Sequence, residues 1–264
     1  ISYDKANEFC ANRGDWITMI DYLEYCALQA LCYIEYANFN NQAALNTNLT
    51  SDGFKQGGLG DGVTNLNWER WAAFNGNNPI VQTYWTAEHN IGNGSTNGDH
   101  YELGNYNADG SNLSTYPAIY RGILNFFGDI WTFIRDVVII NKDKDYNYVY
   151  ILKKGVNHAD VTKDNVNEKC YLIGCQANTN NFITEFDFQR GVYFIPNKVG
   201  SNKKADYNWK RGDDEQDTDK TACVLMLGGH APNGSSAGSG YFYSAWARSI
   251  SPAIVGFFTT VKLD

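Results

Sequence analysis

Tyr120-Arg121-Gly122-Ile123-Leu124-Asn125-Phe126-Phe127-Gly128-Asp129-Ile130-Trp131-Thr132-Phe133 is the stretch on which the reading of this chain turns. Past Tyr120 the hydrophobic spacing shortens from helical to strand-like. Trp131, Phe133 and the run Val137-Val138-Ile139-Ile140 read as one strand. The alternation from Tyr146 to Leu152 supplies its antiparallel partner across a turn at Asn141 to Asp145.

Upstream, Ser2 is placed to cap a short helix whose Ala6, Phe9 and Cys10 fall on one face, and Gly14 can end it in a left-handed conformation. Thr18 and Asp21 form a weak variant of the capping box. Leu23, Ala27, Leu31 and Ile34 then recur at four- and three-residue steps, which predicts a second helix from about 19 to 37 with those four facing the core. From 38 to about 115 the chain is rich in Asn and Gly, a sign of turns and long loops, with one strand candidate over 79–87. Downstream, 153–220 is polar and charge-rich. The stretch from Ala222 to Val261 reverses that composition and carries Arg248 as its only formal charge.

The 264 residues are 43% hydrophobic, 15% aromatic and 19% charged, which excludes disordered, collagenous and coiled-coil chains. A net charge of -8 without a clustered basic surface argues against nucleic-acid binding. No run reaches the length of a membrane span. The opening Ile1-Ser2-Tyr3-Asp4 lacks a basic start followed by an apolar run. Cys26 and Cys32 lie six apart and Cys170 and Cys175 five apart, so neither pair has zinc-knuckle or thiol-oxidoreductase spacing. Buried thiols, with at most one disulfide between 170 and 175, are expected. The histidines at 89, 100, 158 and 230 are too scattered for a metal site.

Short motifs add little. Arg211-Gly212-Asp213 sits in a run of carboxylates and reads as a solvated loop. The Asn-x-Ser/Thr triplets at Asn48, Asn93, Asn112 and Asn233 are what an Asn-rich chain produces without selection for glycosylation. Asp129 and Asp136 flank the strand pattern and are the best-placed pair for acid and base roles, but a turn Asp and a strand-end Asp are the favoured reading. No Cys lies in an activating context.

The segment 120–133 resembles the Arg-Gly…Gly-Asn-x-Trp-Glu-Trp signature of C-type lectin folds of the formylglycine-generating-enzyme type. Ile1-Ser2-Tyr3 through Ala6, Phe9-Cys10 and Gly14 resembles the first helices of that fold. Five further blocks, in order, resemble the C-terminal halves of variable proteins made by diversity-generating retroelements: Gly191-Val192-Tyr193-Phe194-Ile195-Pro196, Asp206-Tyr207-Asn208-Trp209, Leu227-Gly228-Gly229-His230, Asn233-Gly234-Ser235-Ser236-Ala237-Gly238 and Ile254-Val255-Gly256-Phe257.

The resemblance implies a single α+β domain over 1–264 of C-type lectin fold. Its two N-terminal helices would pack on short twisted antiparallel sheets, with long loop insertions at about 40–115 and 155–220. It further implies a massively variable ligand-binding protein, one surface of which is rewritten by error-prone copying of template adenines. Such a protein is displayed on a virion or phage tail, or on a cell surface, and recognises a host-surface protein or glycan; an oligomer is compatible with this. No catalytic residue, cofactor, metal, nucleic acid or membrane insertion is implied. The alternatives are an enzyme of the formylglycine-generating type and a fixed-specificity glycan-binding module. Cys223 is the only Cys after 175, whereas cysteine-oxidising enzymes of this fold use a paired thiol site. The lectin calcium motif Glu-Pro-Asn with Trp-Asn-Asp is absent.

Tyr, Ser, Gly, Trp and Arg give adaptable contacts at low ordering cost, and residues 228–254 have this composition. The ligand-binding set expected is His230, Pro232, Ser236, Ser239, Tyr241, Tyr243, Ser244, Trp246, Arg248, Ser249, Ser251 and Pro252, between fixed Gly228, Gly229, Gly234 and Gly238. These side chains are expected to lie largely exposed, so that Ala at 243, 246 or 248 would leave stability within ~0.5 kcal/mol. Trp131, Phe133, Tyr193, Phe194 and Phe257 would support them from beneath.

Overall fold

The computed structural model describes residues 1–39, 119–121, 123–124, 126–128, 130–141, 147–201, 206–210, 222–230, 233, 236–251 and 254–261. In chain order these form α1 (Tyr3–Ala11), β1 (Ile17–Met19), α2 (Tyr22–Tyr36), β2 (Ile119–Tyr120), β3 (Ile123–Leu124), β4 (Trp131–Asn141), β5 (Asn147–Leu152), α3 (Val166–Lys169), β6 (Cys170–Gln176), β7 (Asn181–Gln189), β8 (Tyr193–Gly200), β9 (Tyr207–Trp209), β10 (Cys223–Gly228), β11 (Gly238–Tyr243), β12 (Val255–Gly256) and β13 (Thr259–Val261). Helices and sheet together make the class α+β.

Ser2 caps α1 as expected, its hydroxyl oxygen accepting the Lys5 N–H. Tyr3, Ala6 and Cys10 face inward, while Phe9 is 43% exposed and meets Phe257 edge-on. Gly14, at φ +128°, turns the chain where the Trp16 indole fills the space of a Cβ. Asp21, not Thr18, caps α2, in a reciprocal capping box with Glu24. Thr18 instead belongs to β1, which pairs antiparallel with β13 and so joins the two ends of the described chain.

The buried face of α2 is the reverse of the one its aliphatic spacing predicts. Tyr22, Tyr25, Cys26, Gln29, Cys32 and Tyr33 are buried, whereas Leu23, Ala27, Leu31 and Ile34 lie outside, Ile34 at 78% exposure. Large tyrosine rings fill the interior because each hydroxyl finds an acceptor there. Tyr22 donates to the Phe194 carbonyl, Tyr25 to that of Phe126 at 3.3 Å, and Tyr33 to Asp206 at 2.7 Å.

The main sheet runs β6-β5-β4-β10-β11-β9-β7-β8, with β12 beside the start of β4. It is mixed: β9 with β11 and β12 with β4 are parallel, and the other pairings are antiparallel. The β4–β5 hairpin matches the sequence reading, with Val138 opposite Tyr150. The stretch expected as a loop insertion over about 155–220 contains α3 and β6 to β9, which continue the same sheet. Polar composition over 153–220 as a whole hid short apolar segments such as Tyr171-Leu172-Ile173 in β6 and the alternate Phe182, Phe186 and Phe188 of β7. The other expected insertion, at about 40–115, and the strand candidate at 79–87 lie outside the described residues. The sheet curls until its edges approach: the Ala177 N–H donates to the Pro196 carbonyl at 2.7 Å, and Ile195 occupies the space above Gly174.

β10 lies at the centre and is buried throughout. Cys223, Leu225 and Leu227 pack toward α2, and Val224 and Met226 toward α1. A strand covered on both faces reads as a continuous apolar run. Its partner β4 breaks register between Ile134 and Val138, so that Arg135-Asp136-Val137 bulge from the ladder. Asp136 uses the bulge to accept the Tyr22 N–H at 2.8 Å, and Arg135 pairs with Asp21 at 3.1 Å. Asp136, read from sequence as an acid or base or a strand-end residue, therefore anchors the start of α2 from mid-strand. Burial pushes its carboxyl up to about 6. Asp129 lies outside the described residues.

Cys26, Cys32, Cys170 and Cys223 are buried, no disulfide joins Cys170 to Cys175, and burial pushes the Cys26 and Cys32 thiols up to about 12. No helix among the described residues is long and apolar enough to cross a membrane. Replacing Asp136 with Ala orphans the Tyr22 N–H and should cost about 1–3 kcal/mol in urea denaturation. Asp136→Asn, which keeps an acceptor, should lose less.

Candidate ligand-binding face

The segment expected to bind begins inside the protein. Gly228 and Gly229, at φ +95° and +80°, turn the chain out of β10. A Cβ on Gly229 would lie 3.0 Å from Tyr241 and 3.1 Å from Ala237, and both glycines supply the positive-φ turn expected of them. Gly238 has no room for a side chain, since an Asp206 oxygen lies 1.8 Å from where its Cβ would sit. Gly234 lies outside the described residues.

Burial divides the expected set. His230, Ser239, Tyr241 and Ser244 are buried; Ser236, Tyr243, Trp246 and Arg248 are half-buried; Ser249 and Ser251 are exposed. Pro232 and Pro252 lie outside the described residues. The expectation of a largely exposed 228–254 is thus corrected for its first half. The cause is strand alternation within a sheet covered on both faces: Phe242 meets Tyr22 on the α2 side, while Tyr241 and Tyr243 point to the α1 side against Trp131. Trp131, Phe133 and Phe257 do lie under this segment. Tyr193 and Phe194 pack instead with Tyr22 and Tyr33 on the opposite side.

His230 rests on Trp131 with ring centroids 5.8 Å apart, and its backbone N–H donates to Asn233 at 2.8 Å. Burial pulls its imidazole down to about 4. Ser244 belongs to a buried polar network. Its hydroxyl donates to Gln176 and accepts from Asn147 at 3.2 Å. Gln176 then donates to Asn208 at 2.7 Å, and Asn208 to the Thr179 carbonyl at 2.8 Å. This network ties β5, β6 and β9 to the residue that follows β11, with Asn147 Oδ1 left without a partner, and cross-linking of this kind rigidifies the site above it.

The open part of the face starts at Tyr243 and includes a residue that sequence reasoning left out of the site. Trp209 is 37% exposed and stacks on Tyr243, with centroids 6.1 Å apart and planes within 10°. Parallel pairing of β9 with β11 sets Tyr243 beside Trp209, so both rings leave the same side of the sheet. Trp246 closes on Tyr243 at 5.3 Å, and Tyr207 meets Tyr241 at 5.6 Å. The alternation of Tyr207 and Trp209 around the buried Asn208 was the available signal. Beyond Trp246, Arg248 forms an ion pair with Asp4 of α1 at 2.7 Å. The arrangement offers aromatic edges, a guanidinium and two exposed hydroxyls, which suit contact with a partner surface. Among the described residues, no group of three or more His, Cys, Asp or Glu could hold a metal ion.

Stability should separate the two halves. Ser244→Ala should cost about 1–3 kcal/mol by leaving network partners unpaired, and Trp131→Ala about 3–5 kcal/mol by opening a cavity. Ser249→Ala should stay within ~0.5 kcal/mol. The half-buried rings of Tyr243 and Trp246 place their Ala variants between these limits, above the earlier expectation. His230, neutral in the fold, gains a proton on unfolding below its ordinary value of 6.5. Its contribution is complete above that pH and should fall by roughly 1.4 kcal/mol per pH unit as pH drops toward 4. His230→Gln should flatten this acid limb in denaturation curves taken between pH 4 and 7. No protein-family model matches this chain, and no curated protein does either.

Proposed function

We propose that this chain is a ligand-binding protein of C-type lectin fold, diversified by a retroelement and displayed on a virion or phage, where it recognises a host-surface protein or glycan. The observation that carries the proposal is the continuous edge of Trp209, Tyr243, Trp246, Arg248, Ser249 and Ser251, rooted in buried networks. It combines a rigid base with side chains that are half-buried or exposed. Rigid aromatic anchors beside adaptable polar groups are the chemistry of surfaces that accept varied partners. The ordered sequence resemblance and the packing of two N-terminal helices against one curled sheet support the finer assignment of fold.

Diversification then concentrates where the fold tolerates it. Deep sequencing of the gene from a natural population should show substitutions at Tyr243, Trp246, Arg248, Ser249 and Ser251, and few at Ser239, Tyr241 and Ser244. The source genome should hold a near-copy of the gene's 3′ end, differing almost only at adenines, together with a reverse-transcriptase gene. A complete genome with neither would refute the proposal, and so would substitutions spread evenly along the chain.

A further inference from the structure

Asp206 is the one fully buried carboxylate among the described residues. It stands immediately before β9, and its own carbonyl accepts the Ile183 N–H of β7 at 2.7 Å. Its Oδ2 accepts the Tyr33 hydroxyl of α2 at 2.7 Å, and that hydroxyl in turn accepts from Gln29 at 2.8 Å. The Gly240 backbone N–H also donates to the carboxylate, while Oδ1 meets no donor. β11 is shaped around this group. A Cβ on Gly238 would come within 1.8 Å of Oδ1, and one on Gly240 within 2.3 Å of Oδ2.

The groups facing Asp206 carry no compensating charge. From α2 come Tyr25, Cys32 and Tyr33, all held neutral by burial. From β11 come Ser239, bonded to Tyr33, and the Gly240 backbone; from β7 come Ile183 and Phe186. No cation among the described residues faces the carboxylate, and Lys203 and Lys204 lie outside them. A neutral carboxylic acid suits this site. An ionised one would keep a bare oxygen against the β11 backbone, closed off from solvent by burial and with no cation of the described residues beside it.

We propose that Asp206 is a protonation latch: protonated, it clamps the β9–β11 pair onto α2, and on ionising it loosens that pair and the Tyr207, Trp209, Tyr241 and Tyr243 rings borne on it. Burial carries this carboxyl up to about 7. The folded value lies above the unfolded one, so the latch contributes fully below pH ~4 and is lost as pH rises through neutrality. The inference concerns the ligand-free protein and stands apart from the proposed function. If the latch fails, the binding proposal is untouched, and the converse also holds.

The test follows the full-length chain without ligand from pH 5 to 9. Near-ultraviolet circular dichroism is read together with hydrogen exchange, corrected for its intrinsic pH dependence, in peptides covering 206–210 and 238–244. The wild type should show a reversible transition near neutral pH with faster exchange in those peptides on the alkaline side, and Asp206→Asn should lack it. Tyr33→Phe removes a donor to the carboxylate and should move the midpoint up by about one pH unit. His230 titrates below this range, while Asp136, at about 6, titrates inside it and does so in both variants, so only the step that Asp206→Asn loses counts as the latch. A wild type without the transition, an Asp206→Asn protein that retains it, or an unmoved midpoint in Tyr33→Phe overturns the proposal. Should Asp206→Asn fail to fold, the Tyr33→Phe midpoint decides alone.

Discussion

The break in β4 at Arg135-Asp136-Val137 is the constraint on which the rest of the molecule depends. A straight β4 would continue its ladder with β10 and leave the start of α2 without an acceptor for the Tyr22 N–H. With the break, one strand holds both helices: Tyr3 of α1 donates to the Arg135 carbonyl, and the Arg135 side chain bonds the Met19 carbonyl and Asp21 just ahead of α2. The bulge also inverts which face each later residue of β4 presents. Ile134 and Val137 therefore serve the same cluster although they are three positions apart. Two helices on opposite faces of one strand pair bury β10 completely, and every element of the candidate site is hung from β10 or its neighbour.

Much of this was legible in the sequence, and the failures share a cause. Ser2, the β4–β5 hairpin and the glycine turn after β10 follow from local chemistry, which needs no knowledge of distant partners. The face of α2 did not follow, because aliphatic periodicity ranks Leu23 and Ile34 above Tyr22 and Tyr33. The tyrosines win only through acceptors at Phe194, Phe126 and Asp206, more than 100 positions away in each case. The 155–220 stretch was misread for a related reason. Most of its charges lie between the strands, and composition averaged over the whole stretch hides the alternation that a pleated strand obeys. Asp136 reads from sequence as a strand-end residue or as an acid or base, since sequence shows a carboxylate without the helix start it satisfies.

In the candidate site, the same long-range pairing separates what was legible from what was not. A Tyr- and Ser-rich run can be a paratope or a packed hairpin, and the run from Gly238 to Ser251 is both in succession. Up to Ser244 its side chains are consumed by strand pairing: Ser239 by Tyr33, Tyr241 by Trp131, and Ser244 by Gln176 and Asn147. After Ser244 the strand ends, yet Ala247 bridges Cys223 and the Val224 N–H reaches the Trp246 carbonyl at 2.9 Å, so the backbone remains fixed until the side chains become exposed from Ser249 on.

That combination is what a variable surface requires. Exchange of a side chain is tolerated when its backbone is held by hydrogen bonds that no side chain supplies, and when the ring or methyl groups beneath belong to other segments. Tyr243 meets both conditions, its backbone paired with β9 and its ring against Trp131, while Trp246 is held by the Val224 N–H and rests its ring on Tyr243. Tyr241 fails the second, because it is itself part of what lies beneath. Binding and stability are therefore divided along a single strand by its alternation and its end, with Trp209 of β9 as a neighbour that a reading confined to 228–254 leaves out.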